Sequence, residues 1–342
     1  MNPRARPPQI LAGLALALLA ILFLLGVAHP PPGLAAPSPS PSTRIATSIA
    51  PISGAIGASL PPPSTGLAER ADAHFVRWYR APLAGGLLTF PPSFASEDGT
   101  YDLVVHFNGN TDLVEESYGY AGVNAVVMIS NLGVGSGLYE DRFADPAAFA
   151  LILARVQWVM EARGLRSPKL GRIALSSWSS GYGGVLKVLH NDALFERIDA
   201  VLLLDSIHCG VVPWTKRPKA DQIDPLRRFA RKAAEGRALL SINHSEIETY
   251  GYLNAHLTTD LILDAVGLRR EPASTPQPMP VLHSMIGVLP KALMVPLPPL
   301  TEAHRGALHV RGYGGNGPVT HMMHLVQMST TALPDLVKYW RR

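Results

Sequence analysis

Short runs that are apolar at successive positions recur along this chain, separated by segments with helical spacing. The apolar runs fall at residues 101–107, 124–130, 171–177, 198–205, 238–243 and 307–313, and several end in turn residues such as Asn108, Gly109 and Asn110. Their length and β-branched content predict strands. Between them the period changes. Phe149, Ile152, Val156, Val159 and Met160 lie at helical spacing, with Asp145 as a cap, Pro146 in the first turn and Gly164 as a stop. Further helices are predicted over 181–190, over the charged segment 224–236 and, as one amphipathic helix, over 322–340. Strands that are apolar on both faces and alternate with helices predict an α/β fold. In it a mostly parallel central sheet carries helices on both faces. No internal repeat is present.

The amino-terminal part follows another pattern. Arg4 and Arg6 precede an uncharged apolar run, 10–28, which reads as a signal peptide or membrane anchor. Residues 29–66 contain PPPG, PSPSPS and PPPS. Proline at this density favours an extended, solvated linker. The folded domain is expected over 67–342, placed outside the cytoplasm: periplasmic, secreted or membrane-anchored, with possible membrane association through 10–28.

Composition narrows the picture slightly. Of 342 residues 47% are hydrophobic, enough for a substantial core, and 30 basic against 26 acidic residues leave a formal charge of +4. Arg227, Arg228, Arg231 and Lys232 read as a solvated helix face, so there is no nucleic-acid signal. The single cysteine, Cys209, excludes a disulfide within the chain.

The chemistry concentrates in IALSSWSSGYGG, residues 173–184. A serine on a very tight strand-to-helix turn exposes its Oγ, but the turn requires small residues two before and two after it. Ser180 has Trp178 and Tyr182 at those positions, Ser177 has Leu175, and Ser176 has Trp178. Only Ser179, between Ser177 and Gly181, satisfies the rule. Gly183 and Gly184 would let the following helix pack closely.

With SWSSG in place, the chain resembles the α/β-hydrolase superfamily of serine esterases and lipases, Ser177 replacing the first glycine of the G-x-S-x-G motif. The resemblance implies the order serine, acid, histidine. The base is then His321, with His324 as the alternative in the same segment, GYGGNGPVTHMMHL. The acid is Asp205, at the end of its strand, or Glu246, one strand later. The oxyanion donors implied are the backbone N–H of Ser180 and that of Phe107 or Asn108, in HFNGN.

Other features lie at strand ends. His106, His208, Asn243 and His244 raise a metal reading, but there is no HExxH, and histidines so placed more often orient loops. Neither a metal nor a cofactor is called for. The Pro-, Leu- and Met-rich segment 272–299 would wall the site or pack on the core, and Tyr139 stands as a further pocket candidate. The expected protein is an exported serine hydrolase acting on a small-molecule ester or acyl substrate. An amidase or peptidase, and a catalytically inactive binding module of the same fold, are the alternatives.

Overall fold

In a computed structural model the described residues are 79–341, apart from 84, 92–93, 216 and 279–295. The expected anchor at 1–28, the linker at 29–66 and the domain start at Leu67 all lie outside them, as does most of the 272–299 segment. Among the described residues no single helix is long and apolar enough to cross a membrane.

The elements in chain order are β1 (Tyr79–Leu83), β2 (Gly86–Phe90), β3 (Thr100–Phe107), α1 (Thr111–Ala121), β4 (Val126–Ser130), α2 (Ser136–Arg142), α3 (Pro146–Ala162) and β5 (Lys169–Trp178). After a single 3₁₀ turn, Ser179–Gly181, come α4 (Tyr182–His190), α5 (Asp192–Arg197), β6 (Ala200–Leu204), β7 (Cys209–Gly210), α6 (Ala220–Ala234), β8 (Leu239–His244), β9 (Tyr252–Leu253) and α7 (Ala255–Asp264). The chain closes with β10 (Glu271–Pro272), β11 (Pro299–Arg305), β12 (Leu308–Tyr313), α8 (Pro318–Val326), α9 (Met328–Thr331) and α10 (Leu333–Trp340).

The main sheet has 10 strands in the order β1-β2-β4-β3-β5-β6-β8-β12-β11-β10. Its centre, from β4 to β12, is parallel throughout. Both flanks are antiparallel: β1 and β2 on one side, β11 and β10 on the other. The sheet is therefore mixed, where the sequence predicted a mostly parallel one. The central strands match the apolar runs because they are covered on both faces. The flanking strands escaped notice because partly exposed strands carry a weaker apolar signal; β1 and β11 are mostly half-buried or exposed.

Period-2 alternation sorts the core into two layers. Leu103, Val105 and Phe107 face one side, where α3, α4 and α6 contribute Phe149, Ile152, Val185 and Phe229. Val104, Val127 and Leu202 face the other, covered by Leu113 and Tyr118 of α1, by Met322 and Met323 of α8, and by Leu336 of α10. Each such aliphatic side chain removed from water contributes roughly 1.5–3 kcal/mol.

The expected helix over 322–340 is instead three pieces. Thr330 and Thr331 turn their hydroxyls back to the Gln327 carbonyl, at 3.1 and 2.9 Å, in competition with the helical pattern. Pro334, in the first turn of α10, then forbids continuity with the turn before it. At its other end α8 begins four residues earlier than expected, with Pro318 in its first turn, and Trp178 at the end of β5 bonds to its His321 carbonyl.

Candidate active site

The sheet delivers its chemistry at the carboxyl ends of the parallel strands, and the backbone there is under strain. Five described non-glycine residues have positive φ, and three of them stand at strand ends: Asn108 after β3, and Ser179 after β5 and Asp205 after β6, which line one cavity. Ser179 has φ 54°. The sharp corner requires close approach on its helical side. A Cβ on Gly181 would lie 2.1 Å from the Phe107 carbonyl oxygen, one on Gly184 would meet the Phe107 ring at 2.8 Å, and one on Gly183 would reach the Ser136 carbonyl at 2.5 Å. On the strand side, Ser177 stands where a glycine would be simpler, and its hydroxyl is used. Ser177 Oγ donates to Ser206 Oγ at 2.7 Å, and Ser206 Oγ donates to the Ser179 carbonyl at 2.8 Å. This short chain ties the corner to the segment after β6.

The corner aims Ser179 Oγ at His321 Nε2, 2.7 Å away. His321 Nδ1 lies 2.6 Å from Asp205 Oδ2. His321 belongs to the first turns of α8, with its amide on the Gly317 carbonyl, rather than to the loop before it. Trp178 holds the ring from one side. The two rings stack at 4.9 Å and 28°, and Trp178 Nε1 donates to the His321 carbonyl at 2.9 Å. Asp205, almost buried, also accepts from the amide and hydroxyl of Ser245, each at 2.9 Å.

These contacts define protonation. Burial by itself would raise the Asp205 carboxyl. The imidazoles of His324 and His321, the direct hydrogen bond from His321 and the Ser245 amide outweigh burial and hold it well below the usual carboxylate range. An ionised carboxylate only accepts, so His321 Nδ1 carries the hydrogen. Nε2 then presents a lone pair to the Ser179 hydroxyl.

A carboxyl depressed in the folded state contributes stability that is complete above its unfolded value, about 3.9, and is lost as pH falls through that value toward the folded one. Urea unfolding followed from about pH 7 to about pH 3 is therefore expected to show a shallower loss of stability for Asp205→Asn than for wild type. Equal losses would mean that the carboxyl is not held ionised by folding.

The alternatives named from the sequence sit elsewhere. Glu246 Oε1 pairs with His256 Nδ1 at 2.9 Å. His324 is fully buried with its ring edge against Tyr313, neither ring nitrogen hydrogen-bonded, and burial pushes it down to about 4.

The oxyanion expectation is corrected in part. The amide of Asn108 is spent on the Ser130 carbonyl at 2.9 Å, and Phe107 is a ladder residue in register with Ser130 and Ser177, so the sheet consumes its amide as well. Asn108 instead serves the corner with its side chain, donating to the Trp178 carbonyl and to Ser180 Oγ, both at 3.1 Å. The Ser180 amide stands in the first helical turn, where N–H groups have no intrahelical acceptor.

The strand-end histidines do not converge. His106 is buried, bonded to Ser176 Oγ and the Asn108 carbonyl at 2.9 Å each, and burial pushes it down to about 4. His244, Glu246 and His256 come close enough to suggest a metal. However, His244 Nε2 accepts from Arg270 Nη1 at 2.8 Å, so that lone pair is taken and a cation would meet a guanidinium. These residues do not fit a metal. Tyr139 lies buried beneath the site, its hydroxyl bonded to the Leu132 amide and the Gly133 carbonyl.

Sequence reasoning missed Ser206 and Ser245, since single serines after strands carry no pattern. It treated Trp178 only as an obstacle to neighbouring serines.

No family model matches this chain, and no curated protein matches it. Similar solved structures include a thermostable esterase, at 12% identity and TM-score 0.37, covering 75% of this chain and 58% of that one. This chain thus spans less than two thirds of that esterase. An alpha-beta serine hydrolase homologue from Coxiella burnetii has 10% identity and TM-score 0.35 over 77% of this chain and 100% of its own. The siderophore hydrolase EstB from Aspergillus nidulans has 14% identity and TM-score 0.35 over 75% and 96%. At these TM-scores the likeness carries no argument. The strand order, the helices on both faces and the strained serine at the end of a central strand are what make the fold α/β-hydrolase-like.

Proposed function

We propose that this chain is a serine hydrolase that cleaves carboxylic esters through Ser179, His321 and Asp205. The observation that carries the reading is the unbroken line of short hydrogen bonds from Ser179 Oγ through both nitrogens of His321 to Asp205, anchored at a serine with φ 54°. A serine hydroxyl is a weak nucleophile until a base takes its proton. His321 Nε2 is that base. Ser179 Oγ attacks the ester carbonyl carbon, and the proton passes to Nε2. Asp205 stabilises the resulting imidazolium without taking the proton. The oxyanion points toward the Ser180 amide. As the tetrahedral intermediate collapses, the alcohol leaves with the proton from Nε2, and Ser179 remains acylated. Water, deprotonated by the same nitrogen, then releases the acid and restores the hydroxyl.

The basic residues, apolar run and proline-rich stretch at the amino terminus support export of this domain, with residues 10–28 as leader or anchor.

A fluorophosphonate probe tests the chemistry directly. The expected result is a single covalent adduct, located by peptide mass spectrometry on Ser179 and absent from Ser179→Ala. An unlabelled but folded wild-type protein would overturn the reading in favour of a binding module.

A further inference from the structure

Beside Ser179 opens a cavity of about 670 Å³, lined among others by Glu140, Ile207, His208, Gln222, Ile247 and Tyr252. That volume suits a small organic substrate. Its charge is one-sided. Among the described residues, Asp205 and Glu140 are the carboxylates on its wall, and no lysine or arginine lines it. Asp205 is answered by His321 and Ser245. Glu140 is not: among the described residues no hydrogen bond or ion pair occupies its carboxylate. The guanidinium of Arg142, two residues on in α2, lies over the Phe143 ring and beside Gly85. Residues two apart on a helix do not share a face.

The same cavity is lined by the aromatic rings of His208 and Tyr252. His208 sits between Tyr182 and Tyr252, with centroids at 5.1 and 5.7 Å in edge-to-face contact. Burial pushes the His208 imidazole down even with Glu140 nearby, so it is neutral near neutral pH and leaves the carboxylate unbalanced. Closing this cavity over a neutral or anionic molecule would strip water from a carboxylate and give nothing back. A cation would meet a carboxylate and aromatic ring surface together.

We propose that the substrate carries a positively charged nitrogen, held between the Glu140 carboxylate and the rings of His208 and Tyr252, with its ester carbonyl at Ser179. Glu140 is then a specificity residue for the ester hydrolysis proposed above, and the inference rests on that reading.

Butyrylcholine and 3,3-dimethylbutyl butyrate differ by a charged nitrogen in place of a carbon and have nearly the same shape. In wild type the ratio of their kcat/KM values should favour butyrylcholine by about tenfold, the scale of a cation on a carboxylate and an aromatic face. Glu140→Gln should bring the ratio close to one, and Glu140→Asp, which keeps the charge, should retain a preference for the cation. Because the readout is a ratio, a general loss of active protein does not affect it. A wild-type ratio near one, or a ratio unchanged in Glu140→Gln, overturns the inference. Calorimetric binding of the two esters to Ser179→Ala separates this from the hydrolase reading. If wild type turns over neither ester while Ser179→Ala still binds butyrylcholine about tenfold more tightly, the hydrolase reading falls and the cation site stands. If binding shows no preference, the cation site falls.

Discussion

Replacing Ser179 with alanine should lower kcat on an activated ester by about a million-fold, the loss seen when the nucleophile of such a unit is removed. The size follows from the arrangement. In the proposed mechanism Ser179 Oγ is the atom that forms the covalent bond, and among the described residues it is the hydroxyl hydrogen-bonded to the imidazole that would accept the proton, at 2.7 Å. Ser180 Oγ also lies at the corner, but it accepts from the Asn108 side-chain Nδ2. The loss should appear in kcat with little change in KM, because a small alanine leaves the cavity open. Steady-state assays with active-site-independent checks of folding measure it. Turnover in Ser179→Ala within tenfold of wild type would mean that another group attacks the ester.

Asp205→Asn should cost about ten-thousand-fold in kcat, or about 5 kcal/mol of transition-state stabilisation. The carboxylate accepts from His321 Nδ1 and so keeps the Nε2 lone pair facing Ser179. An asparagine amide can donate to Nδ1, which moves the ring hydrogen to Nε2, where it opposes the serine hydroxyl. It also removes the charge that balances the imidazolium. Ser245, which donates to the same carboxylate, keeps a carbonyl partner in the variant, so the fold should tolerate the change. A loss of less than about tenfold would leave Asp205 as a structural anchor only, and the acid would have to be sought elsewhere. Glu246 is a poor substitute, since His256 already occupies it.

Much of the site was legible from local rules. The size of the residues flanking Ser179 singled it out among four serines, because a tight corner excludes bulk in any protein. Asp205 and His321 followed from the resemblance, which implies the order serine, acid, histidine, while Glu246 and His324 stayed open beside them. The structure separates the members of each pair by what they touch. His324 is three residues from His321, one turn of the same helix, yet it points into the core against Tyr313. No feature of the sequence reports which way that helix is rotated. The oxyanion expectation failed at Asn108 for a related reason. A turn-like Asn-Gly suggests free amides, but the Asn108 N–H, just past the end of β3, is taken by the Ser130 carbonyl at the end of β4.

What the chain's own sequence determined is what depends on neighbours close along it: the apolar strands of the parallel centre, the helix capped by Asp145, and the corner between Ser177 and Gly181. These follow from side-chain volume, backbone conformation and period, which act over a few residues. Only the tertiary structure decided which strands flank the parallel centre, and the support that Ser206, Ser245 and Trp178 give the site. Those three supports join residues 27, 40 and 143 positions apart along the chain. Such contacts are set by how packed layers meet, and that information is spread over the whole core rather than written at any one position.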